Sequence, residues 1–595
     1  STSRGDVAGG LARGTAQRGT ERSVVVGDQQ GGMARHGVGR ILLLPLWERG
    51  AWRGGCGCLI SLRSWFSVFS FAGLAYSLPD VPRQVFHLIR TALCLVALGL
   101  CCSSGAAHEL RIEHVTVVSP ERRRPMRDVT VYVRDDRIVS ISRRSPPRAS
   151  GSSEVAEVID ARGLYLVPGL IDSHVHTSQV HGMTPEHEEA HPDIARAARE
   201  QNPRSYLYFG FTTLIDLISA PAQIEKWKAH PVHPDIHFCG ATPIVDGYPM
   251  IWAPKPERYQ QFPYLLVQRE QEATAPEGID PAAHTPEAVV SRMKADGAFC
   301  VKTFYDRGEQ NQWPVPSLET TRALVKAAHA ARMPVFIHAT STEAQEFALE
   351  AGVDIIAHGL WRWNGEPDAA ALTPRVRRAL DGVLKDKVGW QPTMQVSYGF
   401  RDLFDPGYLL DPRLARVLPA ALIAWYRTSE GQWFRDRFAS SFLPEPIAET
   451  RDAEAQWEWV RAFYGGSVAP LASATSYMAT HNARLLFATD TPSSPLYTNP
   501  PGLNGWMEMH RLIEAGLTPA QVFRAATFAN AEALGLSHEI GTVQVGKRAN
   551  LLLLREDPTR SIQAYDKIVK VILRGRVLDR SALAANSSAS PDDPD

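Results

Sequence analysis

The stretch MPVFIHATSTEAQEFALEAGVDIIAHG, residues 333–359, predicts a strand, a helix and a second strand in succession, and this order indicates the fold class. Its first apolar run predicts a strand that ends at His338. Thr340 and Glu343 then have the spacing of a capping box, and apolar residues at helical spacing predict a helix that a glycine ends. The second apolar run ends at His358. Strands that alternate with helices in this way are typical of a parallel α/β barrel.

Two further histidines, His174 and His176, follow the apolar residues of LVPGLIDSHVH. At an extended strand end alternate side chains point the same way, so the two imidazoles share one face. A single pair of this kind is more often a surface feature than a metal site. In an α/β barrel, however, the carboxyl ends of the strands form one mouth, and we expect His338 and His358 to meet the first pair there.

Lys302 and Asp490 end two more predicted strands, in GAFCVKTFYD and RLLFATDTPSS. Taken singly, a lysine at a strand end commonly pairs with a carboxylate, and an aspartate after a strand commonly caps a helix. Six ligand-type residues at strand ends in barrel order do not fit those separate explanations. Together they predict metal chemistry.

Composition restricts the classes of function. The chain has 595 residues, of which 44% are hydrophobic, so it can bury a large core. Its formal net charge is -1, from 63 basic and 64 acidic residues, which argues against nucleic-acid binding or a polybasic membrane patch. A small-molecule substrate is therefore the expected partner, and a homo-oligomer is left open.

The N-terminal part differs in composition from the rest. Residues 1–85 include Gly- and Arg-rich stretches without helical or strand periodicity, and we expect them to be disordered or extraneous. Residues 86–107 have the charged, apolar and small-residue order of a secretory signal peptide. About twelve apolar residues are too few to span a bilayer, so no stable membrane insertion of the mature chain is expected. This predicts an exported protein, periplasmic or secreted. The alternative is an unprocessed buried helix or anchor, and the protein is cytoplasmic if the segment is not processed.

Cys239 and Cys300 are the cysteines that would remain after such processing. Each lies in a strand-like run, DIHFCG or AFCVKT, where a buried and inert thiol is the ordinary occupant. Two cysteines do not imply a disulfide framework. The sequence therefore predicts two buried thiols.

Several motifs along the chain are specific: VPGLIDSHVH, GFTTLID, VKTFYD, IHATS, IIAHG, FATD and GTVQVGKRANLLLL. Together they resemble the metal-dependent amidohydrolase superfamily, in its imidazolonepropionase-like and prolidase-like branch. The resemblance implies an α/β fold with a (β/α)8 TIM barrel over residues 168–535. It also implies a small β-sandwich domain built from both chain ends, residues 108–167 and 536–583, before a disordered tail at 584–595.

The resemblance also assigns metal ligands and a reaction. It implies two divalent ions, zinc, held by histidine pairs and bridged by a carboxylated lysine. In this sequence those residues are His174 and His176 for the buried ion, His338 and His358 for the exposed ion, Lys302 as the bridge, and Asp490 as a further ligand and general acid and base. The implied reaction is hydrolysis of an amide or cyclic-amide C–N bond, as in a dipeptide or an N-acyl amino acid, by a water that the ions activate.

One position departs from the family pattern and leaves alternatives open. The prolidase-like pattern often has a second histidine two residues after the ligand of strand five, where this chain has Thr340, so dipeptide substrates stay in question. A mononuclear deaminase or imidazolone-ring hydrolase would need a glutamate where this chain has Ser341, and would lack Lys302. A non-catalytic scaffold of the same fold would have lost ligands, and this chain has lost none.

Four residues near the strand ends are predicted to contact substrate: Tyr305, Arg307, Trp390 and Gln391. Tyr305 and Arg307 closely follow Lys302 and are placed to meet a substrate carboxylate, with a solvated loop as the equal alternative. Trp390 and Gln391 end the strand of GWQPTM and are candidates for the pocket wall.

Overall fold

In the computed structural model of this protein the described residues are 108–143, 157–308, 311–363, 371–450, 452–493 and 495–586. The predicted disordered segment 1–85, the predicted signal peptide 86–107 and most of the predicted tail 584–595 lie outside them. No helix in the described ranges is both long enough and apolar enough to cross a membrane.

Strands and helices alternate through most of the described chain. The strands are β1 (Glu109–Val117), β2 (Met126–Arg134), β3 (Arg137–Ser142), β4 (Glu157–Asp160), β5 (Tyr165–Pro168), β6 (Leu170–Val175), β7 (Phe211–Asp216), β8 (Asp235–Ala241), β9 (Cys300–Phe304), β10 (Val335–His338), β11 (Ile355–Ala357), β12 (Gly389–Trp390), β13 (Leu551–Leu554), β14 (Ile568–Leu573) and β15 (Arg576–Asp579).

Helices fill the connections between these strands and a long insertion after β12. The α-helices span Pro185–Ala190, Pro192–Tyr208, Pro221–Lys228, Glu257–Gln261, Pro286–Ala295, Leu318–Ala330, Thr342–Ala351, Pro374–Asp386, Met394–Asp402, Leu414–Val417, Ala420–Tyr426, Trp433–Phe442, Glu445–Ala448, Ala453–Ser467, Ala469–Thr480, Leu503–Glu514, Pro519–Arg524, Asn530–Ala533 and Arg580–Leu583. Short 3-10 helices span Met250–Trp252, Arg269–Thr274, Pro281–His284, Tyr408–Leu410 and Ile562–Lys567, and a π-helical turn spans Ala525–Ala529.

Strands from both ends of the chain form one sheet. Its order is β15-β14-β13-β5-β1-β2-β3, and β4 pairs with β1. β13 lies antiparallel to β5, with Leu551 opposite Pro168 and Leu554 opposite Tyr165. Side chains from β1, β2 and β13 bury a separate hydrophobic core, because alternate residues of these strands face the same side. The two chain ends therefore share a sheet, and its closure into a sandwich stays a prediction.

A second sheet is parallel and has seven strands in the order β12-β11-β10-β9-β8-β7-β6. Neighbours in this sheet are also neighbours along the chain, as the sequence predicts for strands joined by helices. Every residue of β10 and β11 is buried, because a parallel sheet of this kind is covered on both faces and favours continuous apolar runs.

The segment 484–491 joins the two edges of the parallel sheet. On one side the backbone N–H of Leu486 donates to the carbonyl of Trp390 in β12, at 3.0 Å. On the other side the N–H of Asp490 donates to the carbonyl of His174 in β6, at 2.8 Å. The protein is therefore a mixed α/β fold whose parallel sheet curls, with its first and last strands on either side of one segment.

The helix Thr342–Ala351 begins with a different cap from the one that the sequence predicts. Its N-cap is Ser341, whose Oγ accepts a hydrogen bond from the N–H of Ala344 at 3.2 Å. The capping box of Thr340 and Glu343 is therefore wrong, because the adjacent serine is the residue with extended backbone at the helix start. The glycine that ends the helix has a φ of 78°, as a left-handed C-cap requires.

Cys239 of β8 and Cys300 of β9 form a disulfide bond. The prediction of two inert thiols is therefore wrong, although both residues are fully buried. Strand register explains the bond, since the two cysteines lie opposite each other in adjacent parallel strands with Cα atoms 4.3 Å apart. Two strand-like runs separated by 61 positions give no sign of that pairing in the sequence.

Candidate metal centre

Six ligand-type side chains lie at the carboxyl ends of the parallel strands. They are His174 in β6, His176 just beyond it, Lys302 in β9, His338 at the end of β10, His358 directly after β11, and Asp490 in the segment that joins the sheet edges. Parallel strands in a curled sheet bring their carboxyl ends together, which explains why residues so far apart in the chain meet. Five of the six are buried, and His176 is partly exposed.

Asp490 lies at the centre of three histidines. Its Oδ1 is 2.9 Å from Nε2 of His174 and 2.9 Å from Nε2 of His176, and its Oδ2 is 4.0 Å from Nδ1 of His358. Burial would raise the pKa of Asp490, but the nearby imidazoles hold it well below its usual value. Burial lowers the pKa of His174 to about 3. The group therefore places an ionised carboxylate beside a neutral imidazole, which is the form that binds a metal.

His338 adjoins this group and is oriented by Asp306. The ring centroids of His338 and His358 are 4.6 Å apart, and Nε2 of His338 lies 3.1 Å from Oδ2 of Asp306. Burial would raise the pKa of Asp306, but hydrogen bonds from His338 and Arg362 hold it well below its usual value. A carboxylate at one ring nitrogen fixes the imidazole and leaves the other nitrogen, Nδ1, for a ligand.

Lys302 is buried at the same end of the sheet. Its Nζ has no hydrogen-bond partner in the part of the chain that the structure describes. Burial lowers the pKa of Lys302 to about 7, so much of the amine is neutral and nucleophilic at neutral pH. A buried amine without a partner is costly, which indicates that a further group completes the site.

The donor set fits a divalent metal ion. Ligand atoms of His174, His358 and Asp490 all lie within 4.8 Å of one another. Nδ1 of His174 is buried and has no partner among the described residues. Imidazole nitrogens and carboxylate oxygens are the usual protein ligands of zinc and similar transition metals. The rings of His176 and His338 adjoin this group and offer enough ligands for more than one ion.

Two of the six residues have left-handed backbone conformations. The φ angle is 74° at His358 and 57° at Asp490, in a region that residues other than glycine rarely enter. Such conformations persist where the surrounding structure imposes them, and they cluster at functional sites. Thr393 also has a positive φ, 45°, and its Oγ1 lies 3.2 Å from Nδ1 of His358. This contact leaves Nε2 of His358 for a ligand.

Asp172, which sequence analysis did not identify, ties β6 to the segment that carries Asp490. Its carboxylate accepts hydrogen bonds from Oγ1 of Thr489 at 2.6 Å and from the N–H of His174 at 3.2 Å. Burial raises the pKa of Asp172 to about 7. Strand alternation was the available signal, since Asp172 lies two residues before His174 and faces the same side.

Glu508 supports the site from a greater distance along the chain. Its carboxylate is fully buried and accepts backbone N–H bonds from Met394 and Gln395, at 3.0 and 2.6 Å. These residues directly follow Thr393, so Glu508 holds the turn whose hydroxyl contacts His358. Burial raises the pKa of Glu508 to about 8. Nothing in the local sequence marks this residue, because its partners are backbone groups of another element.

Tyr305 and Arg307 do not converge on the six residues. The Tyr305 hydroxyl donates to Oε1 of Glu343 at 2.7 Å, and Nε of Arg307 donates to the same oxygen at 3.0 Å. Successive side chains of a strand point to opposite faces, so Lys302 takes the inner face and Tyr305 faces the neighbouring helix. Asp306, which sequence analysis missed, returns to the face of Lys302 by the same alternation.

Trp390 and Gln391 are both fully buried and have other partners. Nε1 of Trp390 lies 3.4 Å from Oε1 of Gln345 on the helix Thr342–Ala351, so the ring faces that helix. Nε2 of Gln391 donates to Oγ of Ser173 at 2.8 Å, inside the sheet. Both residues therefore have packing contacts inside the fold, and their contact with substrate stays a prediction.

Comparison with known families and sequences gives one match. A model of the amidohydrolase family matches residues 165–362 and 473–578. The two matched ranges contain all six of the residues that meet at the strand ends. No curated protein matches the chain by sequence.

Solved structures with a similar fold include three hydrolases. A Xaa-Pro dipeptidase with bound methionine in its active site is 18% identical, with a TM-score of 0.53, over 79% of this chain and 100% of its own. The ochratoxinase of A. niger is 16% identical, with a TM-score of 0.54, over 80% of this chain and 96% of its own. Phenylurea hydrolase B is 19% identical, with a TM-score of 0.52, over 80% of this chain and 97% of its own. At these identities the likeness concerns the fold.

Proposed function

Since this chain belongs to the amidohydrolase family and is a hydrolase of carbon–nitrogen bonds, we propose that its six strand-end residues hold two divalent metal ions that serve hydrolysis of an amide or cyclic amide. The observation that carries this proposal is the convergence of four histidines and Asp490 around a buried lysine without a hydrogen-bond partner among the described residues. Structural ion pairing does not explain that lysine, because its amine has no carboxylate at bonding distance in those residues.

The ligands divide into two sets. His174, His176 and Asp490 would hold one ion, and His338 and His358 would hold the other. Zinc suits this combination of imidazole and carboxylate ligands. The neutral amine of Lys302 would add to carbon dioxide and release a proton, which would give an anionic carbamate with two oxygens to offer as ligands. Four neutral imidazoles leave most of the charge of two dications uncompensated, so an anionic bridge is needed.

Ions bound in this way would polarise the substrate carbonyl and lower the pKa of a water from about 15.7 toward about 7. Asp490 is the residue that moves the proton. Its Oδ1 lies 2.9 Å from Nε2 of both His174 and His176, whereas Oδ2 lies 4.0 Å from Nδ1 of His358 and is the freer oxygen. Oδ2 takes the proton from the attacking water and returns it to the leaving nitrogen.

The fold proposed for this chemistry is an eight-stranded (β/α)8 barrel with a β-sandwich domain. The seven strands of the parallel sheet and the segment 484–491, which hydrogen bonds to both edges, support eight positions around the barrel. The sheet that combines β1–β5 with β13–β15 supports a sandwich from both chain ends.

The substrates proposed are dipeptides or N-acyl amino acids. Structures of similar fold include a Xaa-Pro dipeptidase and an ochratoxinase, and this likeness gives a starting panel of substrates. A deaminase is less well supported, because the side chain of Glu343 bonds Tyr305 and Arg307 on the outer side of the strand. That glutamate is therefore not placed to act near His338.

We also propose that the protein is exported to the periplasm or secreted. The buried disulfide between Cys239 and Cys300 supports this location, since disulfides form and persist mainly in oxidising compartments. The signal-like residues 86–107 agree with it and lie outside the described ranges.

Metal depletion tests the proposed function. Hydrolysis of a panel of N-acetyl amino acids and dipeptides is followed before and after dialysis against a chelator, and again after zinc is restored. The proposal predicts that hydrolysis is lost with the metal and returns with zinc. Hydrolysis that persists after the metal content has been shown to be negligible would contradict it.

A further inference from the structure

A row of aromatic rings leads from the metal centre to the surface. The ring of Tyr248 lies over that of His338, with centroids 4.5 Å apart and planes inclined by 34°. Trp313 stacks on Tyr248 with centroids 6.0 Å apart. Trp252 meets Trp313 edge-on at 5.4 Å. We call Tyr248, Trp313 and Trp252 the aromatic wall.

The wall comes from two loops at the same end of the sheet as the metal ligands. Tyr248 and Trp252 lie between β8 and the helix Pro286–Ala295, and Trp313 lies after β9. The first loop has a buried core of its own that includes Met250 and other apolar side chains. The two rings are therefore carried by a packed segment that fixes their positions.

Trp313 is held closely against its own loop. A Cβ atom at Gly308 would lie 2.8 Å from the indole ring of Trp313, and Gly308 has a φ of +70°. The loop therefore accepts only glycine there without displacing the ring. At the outer end of the wall Trp252 is 68% exposed. A rigid row of rings with one end open to solvent provides a face on which a planar group can stack.

Arg362 places a cation beside the wall. Its Nη2 donates to Oδ2 of Asp306 at 2.7 Å and to Oγ1 of Thr340 at 2.9 Å. The same oxygen of Asp306 lies 3.1 Å from Nε2 of His338. These bonds anchor the guanidinium next to a metal ligand, while 38% of the side chain stays exposed. A guanidinium has five donors in a planar fork, so one anchored nitrogen leaves others for a carboxylate.

We propose that the aromatic wall and Arg362 form a substrate subsite that selects N-acylated aromatic α-amino acids. The aromatic ring stacks on the wall, and the α-carboxylate binds Arg362. In such a molecule both groups branch from the carbon next to the amide nitrogen. This matches a wall that begins on the ring of His338 and a cation bonded to Asp306, the carboxylate that contacts His338. The inference rests on the proposed function for its chemistry, whereas the binding of ring and carboxylate needs no turnover.

Binding of a ligand without an amide tests the subsite. The probe is 3-phenylpropanoate, which has a ring and a carboxylate, and it is compared with hexanoate and 3-phenylpropanamide by calorimetric titration of the full chain. Trp313→Ala is expected to weaken the binding of 3-phenylpropanoate by about three- to tenfold and to leave that of hexanoate unchanged, since the middle ring of the wall is removed. Trp252→Ala should shift binding the same way, and its exposure means that folding is unaffected.

Arg362→Gln tests the carboxylate contact. This substitution is expected to weaken the binding of 3-phenylpropanoate and hexanoate by about tenfold or more, because their charge-assisted hydrogen bonds are lost. The affinity for 3-phenylpropanamide, which has no carboxylate, should not change. The matched controls are Phe463→Ala, an exposed ring on the helix Ala453–Ser467, and Arg322→Gln, a surface arginine paired with Glu350. Neither control should change any of the three affinities.

The outcomes separate the subsite from the proposed function. Wall variants that weaken all three probes equally, or none of them, would overturn the subsite. Metal-dependent hydrolysis of any member of the panel of N-acetyl amino acids and dipeptides, with or without a ring, tests the proposed function alone. Ring-selective binding without that hydrolysis would contradict the proposed function and support the subsite. Hydrolysis without ring-selective binding would support the proposed function and contradict the subsite.

Discussion

Removal of the disulfide between Cys239 and Cys300 should lower the unfolding free energy by an amount that follows from the length of the loop it closes. The bond joins positions with a sequence separation of 61. For a loop of that size the chain-entropy account gives about 14 cal/mol/K of lost freedom in the unfolded chain, or about 4 kcal/mol at 25 °C. A Cys239→Ala, Cys300→Ala double variant should therefore lose about 4 kcal/mol of unfolding free energy from the missing cross-link.

Equilibrium unfolding in urea, with and without dithiothreitol, separates the cross-link from the lost sulfur atoms. Unfolded wild-type protein is reduced by the thiol, so its unfolding free energy should fall by about 4 kcal/mol when reductant is present. The double variant has no bond to lose and serves as the control, with no response to reductant. Identical responses of wild type and variant would contradict the predicted contribution of the cross-link, and two free thiols at these positions, found by alkylation and mass mapping, would contradict the bond itself.

Three further predictions concern the site. Asp490→Asn should lower kcat by about 10²- to 10⁴-fold or more, because the proton carrier is lost. The amide oxygen can still serve as a ligand, so the metal content of zinc-saturated protein, measured by elemental analysis, should stay largely unchanged; retained turnover would remove Asp490 from that role. Asp306→Asn should weaken metal binding by about 10- to 100-fold in competition with a chromophoric chelator, since the carboxylate no longer orients His338, and unchanged affinity would contradict this. Burial raises the pKa of Glu508 from the ordinary 4.5 to about 8, so the folded state binds the proton more tightly than the unfolded chain does. The contribution of this group to the unfolding free energy is therefore greatest below pH 4.5 and is lost as the pH rises through about 8. Glu508→Gln should flatten that fall in urea unfolding at pH 5 to 9, and an equally steep fall would count against it.

Much of the fold follows from short-range patterns in the sequence. The run from residue 333 to 359 predicts a strand, a helix and a strand, and the structure has β10, the helix Thr342–Ala351 and β11 there. Such elements are predictable because apolar spacing and a terminal glycine act within a few residues. The predicted N-cap of that helix was wrong, since Thr340 and Ser341 both favour the N-cap position and tertiary contacts decide between them.

The candidate site also contains residues that local sequence patterns identify and residues that depend on contacts distant in the chain. Strand-end position was enough to bring His174, His338 and Asp490 together, because every parallel strand ends at the same edge. The side chain of Tyr305 faces the neighbouring helix because successive residues of a strand point to opposite sides. The prediction that it contacts substrate used its nearness to Lys302 along the chain and did not consider this alternation. The disulfide and the role of Glu508 depend on register between distant strands and on backbone acceptors, and neither leaves a mark in the sequence.

The proposed pair of bridged ions is best tested by the metal content per chain of protein grown with zinc and bicarbonate, compared with that of Lys302→Ala. Lys326→Ala, an exposed lysine on the helix Leu318–Ala330, is the matched control. A bridged pair predicts near two ions per chain in wild type and control, and one or fewer in Lys302→Ala. About one ion in all three proteins would contradict the bridged pair and would direct the search to mononuclear chemistry.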